Sequence, residues 1–168
     1  MSDLIGALAF LEVHGIVHMD LKPKNIVMRD RGVPKIIVFN LGKCGIPWGG
    51  VAVGGGTRGY RALEVMEGKK ADSWADVFAL GVIVCEMVML RLPWDVEPPL
   101  TEIMITDFLR SVGNAALKAE QFSDDGMGEI INKMLRTEPE RTVPAFLNWL
   151  WRWRRRACIG RENANGLD

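Results

Sequence analysis

VHMDLKPKNIVM, residues 17–28, sets a carboxylate (Asp20), an ammonium (Lys22) and an amide (Asn25) in one short loop between two apolar runs. An isolated Asp-x-Lys-x-x-Asn triplet is ordinary solvated turn chemistry, and Pro23 strengthens the turn reading. The flanks give it another meaning. Leu4, Leu8 and Leu11 recur at helical spacing before it, and His14-Gly15 reads as a helix end with a glycine stop. After it, Ile26, Val27 and Met28 make a strand-like run, Arg29 to Gly32 a turn, and VPKIIVF (33–39) a second strand. A polar loop held between a helix and a hairpin suits a precise arrangement of side chains.

Composition narrows the possibilities. The 168 residues amount to one domain, enough to bury a core. The 21 Lys and Arg balance the 21 Asp and Glu, so no global field favours nucleic acid or an anionic membrane surface. Cys44, Cys85 and Cys158 form no CxxC pair and point to a reducing, cytoplasmic setting. The apolar N-terminal patch LIGALAFL has no basic flank and follows Asp3, which argues against a signal peptide. The run VFALGVIVC (77–85) is too short for a membrane span and sits between Asp76 and Glu86, so a buried helix is expected.

The remaining chain reads as mainly α with a small β hairpin. The glycine-dense stretch 42–59 is expected to lack regular structure. From Ser73 to Leu90 the pattern is helical and apolar on most faces, which predicts a central helix, broken by the prolines of RLPWDVEPP (91–99). Residues 100–150 alternate helices and loops, with Ser123 and Thr137 as N-cap candidates and Thr137 with Glu140 at capping-box spacing. The polar segment 157–168 is expected to be a disordered tail.

Five segments, in order, carry a resemblance. VHMDLKPKNIVM resembles the catalytic loop His-Arg-Asp-x-Lys-x-x-Asn of the protein kinases. GTRGYRALE (56–64) is similar to that family's Gly-Thr-x-x-Tyr-x-Ala-Pro-Glu, and DVFALGVIVCEM (76–87) to its Asp-x-Trp-Ser-x-Gly helix. LPW (92–94) and EPERT (138–142) match the Pro-Trp turn and the late arginine segment. The resemblance implies a protein kinase-like C-terminal lobe over residues 1–156. It also implies a role for each matched residue: Asp20 accepts the substrate hydroxyl proton, Lys22 neutralises the transferring phosphoryl group, and Asn25 holds magnesium. Thr57 would order Asp20 and Lys22, and with Lys22 it favours a Ser/Thr lineage. Structural roles are implied for His18, for a buried Glu64–Arg141 ion pair, and for Asp76 as a clamp on the loop backbone.

Departures from the pattern matter as much. Thirteen residues after Asn25, where the family places its magnesium aspartate, stands Val38, so KIIVFN carries Val-Phe-Asn in place of Asp-Phe-Gly. Magnesium takes oxygen ligands and an isopropyl group has none. A rival register sets Asn40-Leu41-Gly42 at the motif; Phe39 matches only in the first. Met19 replaces the arginine that grips a phosphorylated activation loop, and residues 41–56 contain no Ser, Thr or Tyr. The first helix corresponds to one midway through the family's domain. The N-terminal lobe, with its phosphate loop, strand lysine and partner glutamate, is therefore expected to be absent. Gly54, Gly56 and Gly59 fit G-x-G-x-x-G but lack a strand–helix context.

Other features have plain readings. His14 and His18 stand at metal-binding spacing, but Gly15 breaks the helix between them. WLWRWRRR (149–156) suits a terminal helix packing one face better than a nucleic-acid or membrane patch, and Met87 and Met89 read as core filler. The expected function is a kinase-lineage protein using ATP and magnesium by resemblance, inactive as this chain, and engaging a protein partner or a second copy through an exposed cleft face. Two alternatives stay open: an active Ser/Thr kinase when completed by an N-terminal lobe, and a truncated product without a role.

Overall fold

The computed structural model describes residues 2–44, 50–52, 54–94, 99–112 and 127–136. Helix α1 (Ser2–Val13) buries Ile5 and Leu8, with Leu4 and Leu11 partly covered beside them. It ends where Gly15 takes a φ of 63°, a left-handed conformation that suits a residue without Cβ. The chain then enters β1 (Ile16–Val17), the polar loop, and a hairpin of β2 (Ile26–Met28) and β3 (Pro34–Ile36). In that hairpin Ile26 faces Ile36, Val27 faces Lys35 and Met28 faces Pro34, antiparallel.

The glycine-dense stretch contains more order than its composition predicts. Lys43–Cys44 (β4) pairs antiparallel with β1, and Val51–Ala52 (β5) pairs antiparallel with Lys70–Ala71 (β6). Each bridge is only two residues long, and backbone pairing needs no particular side chain, so alternation could not reveal it. The expected strand 33–39 is also shorter. It stops at Ile36 because the Ile37 carbonyl turns to a side chain and Val38 adopts a φ of 64°.

A short helix α2 (Leu63–Met66) leads through β6 to α3 (Trp74–Met89), the axis of the core. Every residue of α3 from Trp74 to Cys85 is buried, with Phe78, Leu80, Val82 and Cys85 at 0% exposure. Asp72 caps its start, its Oδ1 accepting the Trp74 N–H at 2.8 Å. Helix α5 (Met127–Met134) packs closely on α3 at Gly81, where a Cβ would lie 2.8 Å from that of Met134. Helix α4 (Glu102–Val112) seats Ile105 and Leu109 in the same core and leaves Ile103 and Met104 outside.

Met87 departs from its core assignment: it is exposed, because the last turn of α3 runs past the core and leaves Val88 and Leu90 outside as well. Met89 alone of the two methionines packs against the core, where its sulfur meets the Cys85 thiol at 3.2 Å. Among the described residues the architecture is mainly helical with three two-stranded antiparallel sheets, where the sequence led us to expect one hairpin. No helix among the described residues is long and apolar enough to cross a membrane. Ser123, Thr137, Glu140, Arg141, the stretch 149–156 and the tail 157–168 lie outside the described residues.

Candidate active site

The polar loop is fixed from beneath by α3. Asp76, in the first turn of that helix and 3% exposed, accepts the backbone N–H of His18 at 2.6 Å through Oδ2 and that of Met19 at 2.9 Å through Oδ1. Burial pushes the Asp76 carboxyl up to about 6, against the opposing pull of the two N–H donors and His18. Met19 adopts a φ of 66°, so the chain turns sharply here and the double clamp holds it.

His18 links the loop to the hairpin. Fully buried, it accepts the Asp20 N–H at Nδ1 (3.2 Å), so its proton resides on Nε2, which donates to the Ile37 carbonyl at 3.0 Å. Both ring nitrogens are thus committed to the fold. His14 instead donates from Nδ1 to the Phe10 carbonyl at 2.7 Å, one turn back on α1. Among the described residues, no three His, Cys, Asp or Glu side chains group as a metal site.

Above this frame the polar side chains converge. Lys22 Nζ lies 2.8 Å from Asp20 Oδ2 and donates to the Thr57 hydroxyl at 2.6 Å. The Thr57 hydroxyl in turn donates to Asp20 Oδ1 at 2.6 Å. Asn25, only 5% exposed, donates from Nδ2 to the Asp20 carbonyl at 2.7 Å and more distantly to Oδ2 at 3.3 Å. Burial pulls the Asp20 carboxyl upward, but the hydrogen bonds from Lys22 and Thr57 and the Lys22 charge outweigh it and hold it below the ordinary carboxylate range. An ionised carboxylate has about four lone-pair positions, so one can still face a hydroxyl proton. A cation stands beside it for a charged group passing nearby.

The neighbouring position is different in kind. Val38 and Phe39 are 43% and 44% exposed, and the Phe39 ring meets His18 edge-on at 4.7 Å. Asn40, the first residue of the rival register, is exposed in the turn beyond. With Val38 supplying no oxygen, the Asn25 amide is the one matched donor left for magnesium. The residues present therefore do not fit that ion.

Sequence reasoning placed Asp20, Lys22, Asn25, Thr57, His18 and Asp76 together, and the structure brings all six into one network. Gly54 and Gly56 lie in irregular chain and Gly59 in a turn; the two-residue β5 stands before them, but the next helix, α2, begins only at Leu63, so none of these glycines opens a helix. Glu64 lies in α2, where its carbonyl accepts the Lys69 N–H at 2.8 Å; its expected partner Arg141 is outside the described residues. Arg61 was missed. It donates from Nε to the Gly56 carbonyl at 2.8 Å and from Nη1 to Glu102 at 2.6 Å, a pairing across 41 positions that no local pattern announces.

Comparison with known proteins bears on this arrangement. Residues 1–148 match the family model described as the protein kinase domain. The chain is 31% identical to Aurora kinase B of Xenopus tropicalis over 150 residues, covering 86% of this chain and 38% of that protein. It is 31% identical over 139 residues to the carbon catabolite-derepressing protein kinase of Candida glabrata, covering 82% and 22%. With the serine/threonine-protein kinase mos of Gallus gallus it shares 30% over 141 residues, covering 70% and 40%. The chain thus spans well under half the length of these curated relatives.

Proposed function

The chain belongs to the protein kinase domain family, and from that premise we propose that residues 1–156 are a C-terminal lobe of Ser/Thr lineage whose hydroxyl-side chemistry is assembled and whose metal side is not. Its function on this reading is to present the substrate-facing surface to a protein partner, without phosphoryl transfer by this chain alone. One observation carries the reading: Val38 offers an isopropyl group beside a complete Asp20–Lys22–Thr57 cluster. ATP and magnesium are used generally across the family, but here the ion would find only the Asn25 amide. The partner is a protein, or a second copy of this chain, seated where Val38 and Phe39 leave apolar surface exposed. The exposed Cys44 and buried Cys85, both free thiols, accord with a reducing cytoplasmic setting.

Isothermal calorimetry with ATP, with and without magnesium, tests this directly. The expected result is no magnesium-dependent binding; micromolar affinity that requires magnesium would overturn it. A second reading, an active kinase once an N-terminal lobe completes the cleft, draws on the same intact cluster. Asp20 would then accept the hydroxyl proton while Lys22 faces the phosphoryl group. Restored transfer on adding such a lobe, abolished by Asp20→Asn, would favour it.

A further inference from the structure

Thr57 reaches Asp20 through a peptide unit that is itself gripped from behind. The Gly56 carbonyl accepts Arg61 Nε at 2.8 Å, and Arg61 Nη1 pairs with Glu102 Oε1 at 2.6 Å in the first turn of α4. On the other side of the same peptide, the Thr57 hydroxyl donates to Asp20 Oδ1 at 2.6 Å. A peptide unit is planar, so fixing the Gly56 carbonyl also fixes where the Thr57 Cα lies. Its freedom to rotate is also limited sterically. Gly56 has a φ of 85°, and a Cβ there would sit 2.8 Å from the Met19 carbonyl oxygen, so the strand of chain lies directly on the polar loop.

We propose that Arg61 is a positioning residue: by tying the Gly56 carbonyl to Glu102, it holds Thr57 where its hydroxyl meets Asp20 and connects the first turn of α4 to that carboxylate. Arg61 suits the task because its planar guanidinium donates in two directions from one rigid group. Its side chain is 27% exposed and that of Glu102 36%, so the link is shielded in part from solvent yet remains open to a protein lying along α4. Ile103 and Met104 stand exposed next to Glu102 on that helix. A partner that drew Glu102 away would loosen the hold on the Gly56 carbonyl, and the effect would reach Asp20 through Thr57. The inference rests on the reading of Asp20, Lys22 and Thr57 as one functional cluster.

NMR of the full chain without nucleotide tests it, reading the Thr57 side-chain rotamer from three-bond couplings to its methyl carbon. Wild type is expected to hold one rotamer, and Arg61→Leu to average over several, because Thr57 would no longer be held on the carboxylate. Glu102→Gln, which keeps the side-chain shape, should loosen it in the same direction by less. Arg61→Lys keeps the charge for Glu102 but loses the two-way donor, and should fall between wild type and Arg61→Leu. A purely structural role would lower the melting temperature of Arg61→Leu and leave the Thr57 rotamer unmoved, and that result overturns the proposal. Should Arg61→Leu fail to fold, Glu102→Gln decides alone: an unchanged rotamer counts against. Asp20→Ala separates the two levels of argument. If it loosens Thr57 and Arg61→Leu does not, only the positioning role falls; if neither does, the cluster falls with it.

Discussion

The Asp20 side of the loop and the Val38 side are one residue apart in their support: His18 touches Asp20 through Nδ1 and Ile37, the neighbour of Val38, through Nε2. Both carry a left-handed residue, Met19 and Val38, yet they differ in polarity and exposure. On the Asp20 side both carboxylate oxygens are engaged, by Lys22, Thr57 and Asn25. On the Val38 side a β-branched apolar residue stands 43% exposed with a φ of 64°, a conformation that Val adopts only at a cost. The difference shows that the scaffold and the chemistry of such a site are separable. His18 and Asp76 serve backbone geometry, and that geometry persists on both sides. A side chain at position 38 that serves only a ligand can differ without disturbing that frame, and Val38 stands on it exposed.

If the Asp76 clamp holds both sides, removing it should have the largest effect. Asp76→Ala strands the buried N–H groups of His18 and Met19, and each orphaned donor costs about 1–3 kcal/mol. We expect a loss on the order of 4 kcal/mol in urea or guanidinium melts. A loss under about 1 kcal/mol would mean that the two sides are held independently of α3.

The two carboxyls, buried Asp76 and half-buried Asp20, should also bend the stability curve in opposite ways. Asp76 has a folded pKa of about 6, raised by burial from its ordinary 3.8, so the native state binds more protons between those values. Stability from this group is therefore full below the lower value and falls as pH rises through about 6. Asp20 is held below its ordinary range, so its contribution is present above that range and lost as pH falls through the depressed folded value. Comparing wild type with Asp76→Asn from pH 4 to 7 isolates the first effect. Their stability difference should change by on the order of 2 kcal/mol in favour of wild type as pH falls. A flat difference would show that the two N–H donors cancel the burial of Asp76.

Much of this was legible in the sequence because the Asp20 side is built from residues whose chemistry survives without coordinates. Asp20, Lys22 and Asn25 lie within one loop, and Thr57 and Asp76 sit in segments recognisable by their spacing. The α3 helix announced itself through unbroken apolarity from Val77 to Cys85, which burial on all sides requires. What escaped detection depends on backbone or distance. The two-residue bridges of β4 and β5 leave no alternation to read. The Arg61–Glu102 link joins positions too far apart in the chain for periodicity to connect. Met87 misled for a third reason: apolar character predicts burial only while the helix still has core beside it, and α3 outruns its core in the last turn.

The smallest effect should come from Val38, and it sharpens the contrast most. Left-handed backbone costs an L-residue roughly 1–2 kcal/mol, and Asn and Asp tolerate it better than a β-branched residue does. Val38 is exposed, so little packing is lost on replacement. Val38→Asn should accordingly raise stability by about 1 kcal/mol through relief of strain, with no carboxylate restored. Val38→Asp should gain a similar amount and also return the missing oxygen ligand beside Asn25. Melting curves then report the backbone, and calorimetry with magnesium reports the chemistry. Equal stabilisation by both, with any gain in magnesium binding confined to Val38→Asp, is the outcome expected of a site that kept its geometry and lost its ligand. If Val38→Asn destabilises the chain instead, the isopropyl group is packing against something that the strain argument omits. Val38 would then be a structural residue, and the two sides of His18 would be more alike than their surfaces suggest.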